Sequence, residues 1–189
     1  MNVPTETEVK LKLPSSGDWR GRLEAAGFRI SALRQFEINI TYDTAGRALR
    51  SSDMLLRLRQ TGEKKILTWK GPGQAGPHKS RPELETSVGS LEILGQILTQ
   101  LGFQPSFRYE KYRTEFTAPG SAGVISFDET PLGDFLELEG PGEWIDETAR
   151  KLGFSPRDYI LESYGRLYLA DCERRGVEPT NMVYASHPQ

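Results

Sequence analysis

The chain has 189 residues, of which 37% are hydrophobic and 26% are charged; this composition is typical of a globular protein with a sizeable core and excludes a disordered chain. Its 24 lysines and arginines stand against 26 aspartates and glutamates, so the chain lacks the basic excess of nucleic-acid-binding proteins and we expect no nucleic-acid partner. Cys172 is the single cysteine, which excludes an intrachain disulfide, and without an apolar run of membrane-helix length or a signal-peptide core we expect a cytoplasmic protein with no membrane partner.

The first 70 residues are predicted to contain four strands and one clear helix. In TETEVKLKL, residues 5–13, apolar residues alternate with glutamates and lysines, which predicts a strand with one apolar and one charged face. A helix follows, which we expect Ser15 or Ser16 to cap and Gly27 to end. After it the pattern predicts strands at 36–44, 54–60 and 64–70, with a short helical or turn segment at 47–53 and a hairpin between the last two strands.

The remaining chain opens with a loop at 71–80 that contains three glycines and two prolines. Its spacing is not that of a phosphate-binding P-loop. Strands are predicted at 81–88, 107–117, 123–129 and 134–140. Helices are predicted at 90–102, 144–153 and 160–176.

These elements predict one α+β domain. Short turns between successive strands favour antiparallel pairing over a doubly wound parallel sheet. No linker or internal repeat interrupts the pattern, so we predict a single domain over residues 1–175. Residues 176–189, which contain Pro179 and Pro188, are predicted to form a loose tail.

Most of the predicted strands share the alternation of the first one, with charged residues on one face. A single strand of this kind is usually a solvated face, but so many, each with an apolar reverse side, are better explained by a closed barrel whose lumen is charged. The acidic members of these faces are Glu6, Glu8, Glu83, Glu85, Asp128, Glu137 and Glu139. The basic members are Lys10, Arg57, Arg59, Lys70, Arg81, Lys111 and Arg113.

The two sets suit two kinds of ligand atom. Clustered carboxylates without histidine or cysteine suit a hard divalent cation such as Mg²⁺ or Mn²⁺. Clustered arginines and lysines suit phosphate oxygens, which arginine can bind with two parallel hydrogen bonds. Together they predict a site for a metal-bound polyphosphate.

Five other residues receive less specific interpretations. His78 and His187 lie in stretches rich in proline or glycine, where a lone histidine is usually exposed, so we expect neither a histidine metal site nor a Ser-His-Asp triad. Lys12 lies beyond the charged motif and is expected to be exposed. Lys79, in the 71–80 loop, either closes over a substrate or stays in solvent, and we favour solvent. Tyr164 either reaches a tunnel mouth or packs within its helix.

Glu6-Thr7-Glu8-Val9-Lys10 matches the E-x-E-x-K signature of the CYTH superfamily, the triphosphate tunnel metalloenzymes, which the chain resembles along nearly its whole length. Further motifs fall in the family's order: R-L-R at 57–59, LTWKGP at 67–72, R-x-E-x-E at 81–85, K-x-R at 111–113 and DETPLGDFLELE at 128–139. Within the superfamily, LGFQPSFRYEKYR and PLGDFLELE are most similar to the bacterial class IV adenylyl cyclase-like branch.

The resemblance implies an eight-stranded antiparallel β-barrel that is open as a tunnel, with helices packed on its outside and Mg²⁺ or Mn²⁺ as cofactor. It implies a catalytic set of Glu6, Glu8, Lys10, Asp128, Glu137 and Glu139, all of which except Lys10 would bind the metal. The triphosphate would be bound by Lys10, Arg57, Arg59, Lys70, Arg81, Lys111 and Arg113. Glu83 and Glu85 would either bind metal or orient the arginines.

Three functions are compatible with such a site. In a triphosphatase, water attacks the terminal phosphorus of inorganic triphosphate, ATP or thiamine triphosphate; in an adenylyl cyclase, the ribose 3′-hydroxyl of ATP attacks the α-phosphorus. The third is a non-catalytic polyphosphate- or nucleotide-binding module. Under all three we expect a monomer or a homodimer. Hydrolysis requires no recognition of a base, and the sequence contains no base-recognising motif, so we favour the triphosphatase.

Overall fold

The computed structural model describes residues 3–15 and 17–185. Its strands are β1 (Thr5–Lys12), β2 (Arg29–Thr44), β3 (Leu55–Thr61), β4 (Lys64–Lys70), β5 (Lys79–Ser87), β6 (Phe103–Thr117), β7 (Val124–Thr130), β8 (Gly133–Glu139) and β9 (Tyr159–Ile160). Its helices are α1 (Trp19–Ala25), α2 (Ala48–Ser51), α3 (Leu91–Gln100), α4 (Gly142–Lys151) and α5 (Tyr164–Arg175), with a short 3₁₀ turn at Pro156–Asp158. Among these helices none has the length and apolar character needed to span a bilayer.

The strands form a closed antiparallel barrel. They are hydrogen-bonded in the order β5-β4-β3-β2-β6-β7-β8-β1, and β1 pairs again with β5, which closes the ring. In the closing register Glu6 lies opposite Arg81 and Glu8 opposite Lys79. The two-residue β9 pairs with the second half of β1. The predicted α+β fold with an eight-stranded antiparallel barrel is thus confirmed.

The main apolar core lies between the outer face of the barrel and two helices. Leu11 on β1 and Leu136 and Leu138 on β8 are fully buried there. Leu23 of α1 and Ile145 of α4 cover them. Since neighbouring residues on a strand point to opposite faces, the same strands that build this core turn their charged residues into the lumen.

Several element boundaries differ from the predicted ones. β2 begins at Arg29 because its first part pairs with β6 through register shifts, and such bulges hide the alternation on which the prediction depended. α1 is capped by Asp18, whose side chain accepts a hydrogen bond from the Gly21 amide, and not by Ser15; Ser16 lies outside the described residues. The last helix begins at Tyr164 and not at residue 160, because Ser163 caps it.

The predicted loose tail is wrong for residues 177–185. Met182 is 0% exposed and packs in a cluster with Tyr109, Phe135 and Tyr168. Its backbone also pairs with β6: the Met182 carbonyl accepts from the Glu110 amide at 2.9 Å, and its amide donates to the Arg108 carbonyl at 3.0 Å. Met182 in its aromatic pocket, together with the Asn181 and Tyr184 side chains, therefore anchors this segment, and no periodicity in the sequence indicates these contacts.

We expect Met182→Ala to lower the free energy of unfolding by roughly 2–5 kcal/mol, because it empties a fully buried site among aromatic rings. Val183→Ala is the matched control: Val183 is 38% exposed, and its truncation should change stability by no more than about 0.5 kcal/mol. Urea-induced unfolding followed by circular dichroism measures both. Equal, small effects of the two substitutions would contradict the packed tail.

Candidate functional site

The barrel encloses a cavity of about 140 Å³ whose walls are almost entirely charged. All the sequence-predicted site residues except Asp128 line it: Glu6, Glu8, Lys10, Arg57, Arg59, Lys70, Arg81, Glu83, Glu85, Lys111, Arg113, Glu137 and Glu139. Asp128 is 0% exposed and lies directly behind this lining, in contact with Lys111 and Arg113. The strand alternation thus placed these side chains correctly on the inner face.

The strand register places opposite charges side by side on neighbouring strands of the barrel. Lys10 on β1 lies opposite Glu137 on β8, with Lys10 Nζ 3.3 Å from Glu137 Oε1. Lys10 Nζ is also 3.1 Å from Glu8 Oε1. Burial opposes the ionisation of Glu137, but Lys10, Lys111 and Arg113 outweigh it and hold the pKa of this carboxyl well below its usual range.

Asp128 is the centre of the most enclosed ion cluster. Its carboxylate accepts a hydrogen bond from Lys111 Nζ at 2.7 Å, from the Tyr164 hydroxyl at 2.8 Å, and from Nε and Nη2 of Arg113 at 2.7 Å each. Arg113 also donates to Glu137. Burial alone would favour the neutral form of Arg113, but Asp128 and Glu137 keep its pKa well above the usual value. The guanidinium is therefore charged and fixed in orientation.

Carboxylates are crowded at the Glu6 end of β1. Lys70 Nζ donates to Glu6 and lies 3.1 Å from Glu83 Oε2. Burial, together with a hydrogen bond to Glu6, raises the pKa of Glu83 to about 8. Glu139 lies opposite Glu8 in the register, keeps an exposed side and has no salt bridge within the described residues. Partial desolvation, together with Glu6 and Glu8, raises its pKa to about 7.

This end of the tunnel has the composition of a hard-cation site. Glu6, Glu8 and Glu139 offer carboxylate oxygens from two adjacent strands. The pKa of Glu139 is raised by desolvation and by the charges of Glu6 and Glu8, which Lys70 offsets only in part. In residues 3–15 and 17–185 no three acidic, histidine or cysteine side chains are already arranged around one point, because most of these carboxylates are turned towards lysines or arginines. The residues fit Mg²⁺ or Mn²⁺ in chemistry, and a cation there would replace existing ion pairs.

The arginines of β3 and β5 are held in different ways. Arg57 donates to the Tyr109 hydroxyl at 3.1 Å and to Thr68 at 3.2 Å, and its buried Nε has no partner. Arg59 donates to Asn39 at 3.1 Å. Arg81 donates instead to the Gly71 carbonyl at 2.8 Å. Arg57 and Arg59 thus retain donors for a ligand, whereas Arg81 is largely used to hold the loop that follows β4.

The structure adds residues that the sequence analysis passed over. Glu37 and Asn39 are buried on the inner side of β2. Burial disfavours the charged form of Glu37, but the charges of Lys111 and other bases outweigh this effect and lower its pKa to about 2. The alternation in FEINITYDT would have indicated both. Tyr109 has the same strand parity as Lys111 and lines the cavity. Tyr164, left open between two roles, both packs within its cluster and reaches Asp128.

Two predictions for the 71–80 loop are wrong. Lys79, expected in solvent, extends into the tunnel, with Nζ 2.7 Å from Glu8 Oε1. His78, expected to be exposed, has its Nε2 2.8 Å from Asp146 Oδ1 on α4. Lys79 is the first residue of β5 and shares the inward face with Arg81, which the prediction missed because it began the strand at residue 81. The contact of His78 with α4 joins distant parts of the chain, which strand periodicity does not report. His187 lies outside the described residues. Lys12 is exposed and away from the cavity, as expected.

Comparisons with known proteins agree with this geometry. The family model for the CYTH domain matches residues 4–164. A Methanocaldococcus jannaschii protein named "Putative adenylate cyclase" is 30% identical over 147 residues, which cover 78% of this chain and 83% of that protein.

Among the solved structures that share the fold are two proteins with cyclase names. A Vibrio parahaemolyticus protein, also named a "putative adenylate cyclase", superposes with a TM-score of 0.76 at 20% identity, covering 88% of this chain and 98% of its own. A Hippeastrum protein, named a "putative adenylyl cyclase" with a dominant triphosphatase activity, gives a TM-score of 0.62 at 17% identity, covering 93% and 97%. Since the family model spans the chain from the first barrel strand to the start of α5, this protein belongs to the CYTH domain family.

Proposed function

We propose that this protein is a divalent-metal-dependent triphosphatase that hydrolyses a small triphosphate, inorganic triphosphate foremost, inside the barrel. The observation that carries the proposal is the size and lining of the cavity. At about 140 Å³ it is smaller than typical organic ligand sites, which are roughly 300–1,000 Å³. Eight lysines and arginines and six glutamates line it, whereas its apolar lining is limited to Leu55 and the rings of Tyr109 and Tyr164. A compact polyanion suits such a space better than a nucleoside.

The ion pairs of the lumen explain how a polyanion and a cation would enter together. Glu8 Oε1 lies within 3.1 Å of Lys10 Nζ and 2.7 Å of Lys79 Nζ. A cation bound by Glu6, Glu8 and Glu139 would take over these carboxylate oxygens, and the ammonium groups would then be released to hold phosphate oxygens. Without that exchange each lysine stays neutralised by the protein itself.

The remaining residues have distinct roles in the proposed reaction. A bound Mg²⁺ or Mn²⁺ supplies polarisation of phosphoryl oxygens and a lower pKa for the attacking water. Arg113, fixed by Asp128 and Glu137, and Lys10 offset the negative charge that grows on the departing diphosphate. Asp128 accepts from Lys111, Arg113 and Tyr164 at once, which favours a role in orienting these groups over direct metal binding.

Adenylyl cyclase activity is the second candidate, because the 30% identical Methanocaldococcus jannaschii relative carries that name. A cyclase must also hold adenine and ribose so that the 3′-hydroxyl reaches the α-phosphorus. In the described residues the two aromatic rings of the cavity lining already pack against other rings, Tyr109 against Phe107 and Tyr164 against Phe135, which leaves little aromatic surface for a base. The Hippeastrum protein supports hydrolysis as a reaction that this fold can carry despite a cyclase name.

The direct test is a product assay on purified protein with Mg²⁺ or Mn²⁺, in which inorganic triphosphate, thiamine triphosphate and ATP are offered separately. We expect orthophosphate from inorganic triphosphate and no cyclic AMP from ATP. Cyclic AMP with an equal amount of pyrophosphate would overturn the proposal in favour of the cyclase. Tight triphosphate binding without any product would support the binding module instead.

We expect Glu137→Gln to lower kcat for triphosphate hydrolysis by about 10²–10³-fold, because Lys10 and Arg113 lose the carboxylate that orients them. Glu129→Gln is the matched control: Glu129 lies on the neighbouring strand but pairs with Arg34 on the outside of the barrel. Its kcat should stay within about twofold of the wild type, since a surface ion pair contributes little. Steady-state phosphate release measures both, and equal rates in the two variants would contradict the role of Glu137.

The carboxylate crowding predicts a pH dependence of stability in the metal-free protein. The pKa of Glu139, about 7, lies above its unfolded value, so the folded state keeps a proton that the unfolded state loses, and stability falls as pH rises from about 5 to 7. We expect Glu139→Gln to raise Tm relative to wild type at about pH 8 and to leave it nearly unchanged at about pH 5. Differential scanning calorimetry at the two pH values tests this. If Glu139→Gln instead lowers Tm by the same amount at both pH values, Glu139 is not repelled by its neighbouring carboxylates.

A further inference from the structure

The loop at 71–80 is anchored firmly at its first end. The Gly71 amide donates to the Pro82 carbonyl at 2.8 Å, and the Gly71 carbonyl accepts from Arg81. The Gly73 amide donates to the Asp53 carboxylate at 2.9 Å. Residues 74–77 are exposed. The chain returns to β5 through the Gln74 amide, which donates to the Ser80 carbonyl at 2.8 Å, and through the pairing of Lys79 and Ser80 with β1.

His78, the residue before β5, adds a side-chain anchor at this second end. Its ring is 11% exposed and its Nε2 donates to Asp146 Oδ1 at 2.8 Å. The Tyr159 hydroxyl donates to the same oxygen at 2.8 Å, and the two rings are 5.9 Å apart. The ring also lies against Gly142 at the start of α4, where an added Cβ would be 2.9 Å from its Cε1. His78 is thus seated in a fitted recess formed by α4 and β9.

Lys79 follows immediately and extends to the other side. Because successive residues of an extended chain point in opposite directions, a His78 side chain held outside the barrel directs Lys79 inward. There Lys79 Nζ lies 2.7 Å from Glu8 Oε1, the oxygen that Lys10 Nζ also approaches at 3.1 Å. Lys79 is therefore part of the cavity lining, paired with a carboxylate of the cation-binding end.

We propose that Lys79 is a substrate contact of the tunnel and that His78, held by Asp146, is the positioning residue that keeps it there. The inference rests on the triphosphate-binding function proposed above. Once a cation occupies Glu8, Lys79 is free to bind a phosphate oxygen at the mouth of the tunnel. Lys79 is the first residue of β5, and its main chain is held by the pairing with β1. Loss of the His78 anchor frees the glycine-rich segment before it, so this end of the strand frays and the Lys79 side chain spends part of the time away from Glu8.

Calorimetric titration of inorganic triphosphate with Mg²⁺ tests the inference, because it requires no turnover. We expect Lys79→Ala to weaken binding about tenfold, the loss of one charge-assisted contact. His78→Ala and Asp146→Ala should weaken it by about three- to tenfold, whereas Asp146→Asn, which keeps an acceptor oxygen for His78, should bind nearly as the wild type does. Asp171→Ala, which breaks an exposed ion pair on α5, is the control and should have no effect.

The decisive measurement is the double variant His78→Ala/Lys79→Ala. If His78 acts through Lys79, the double variant binds triphosphate no more weakly than Lys79→Ala alone. If the losses of affinity in the two single variants multiply in the double variant, the positioning role is overturned. It is also overturned if His78→Ala leaves triphosphate binding unchanged. If His78→Ala fails to fold, Gly142→Ala takes its place in the comparison of single and double variants, because it displaces the His78 ring without removing it. Binding without hydrolysis in the wild type would remove the triphosphatase proposal but leave this inference standing.

Discussion

Buried charge is the constraint on which this structure depends. A lumen that holds carboxylates, lysines and arginines is costly to dehydrate unless each charge meets an opposite charge with good geometry. The antiparallel register meets that requirement by setting Lys10 against Glu137 and Arg113 against Asp128. The apolar outer faces of the same strands, covered by α1 and α4, supply the stabilisation that keeps the barrel closed around this charge.

The charges are balanced but unevenly distributed, and the proposed function follows from that unevenness. Around Asp128 the bases are held by hydrogen bonds from several directions and are ready to face an anion. Near Glu139 three carboxylates lie close together, and Glu139 itself has no salt bridge within the described residues, which is a condition that a divalent cation relieves. A metal-bound triphosphate would satisfy both ends at once. Either component alone would leave one end with unmatched charge.

Sequence periodicity predicted the barrel and nearly all of its inner lining because a strand alternates strictly, so parity alone assigns Glu6, Glu8 and Lys10 to one face. It did not predict features that depend on distant chain contacts. The contact of His78 with α4 is one such feature, and the burial of Met182 in a pocket built from three other elements is another. The first half of β2 was also not predicted, because bulges in its pairing with β6 interrupt the inward–outward alternation of its side chains.

The central claim is that cation and polyanion replace the internal ion pairs together, and thermodynamic coupling between the two ligands tests it most directly. Calorimetry would measure the affinity for inorganic triphosphate at several Mg²⁺ concentrations, corrected for Mg²⁺–triphosphate association in solution. The account predicts that Mg²⁺ tightens triphosphate binding and that triphosphate tightens Mg²⁺ binding by the same factor. Corrected triphosphate affinity that does not change with Mg²⁺ would contradict it.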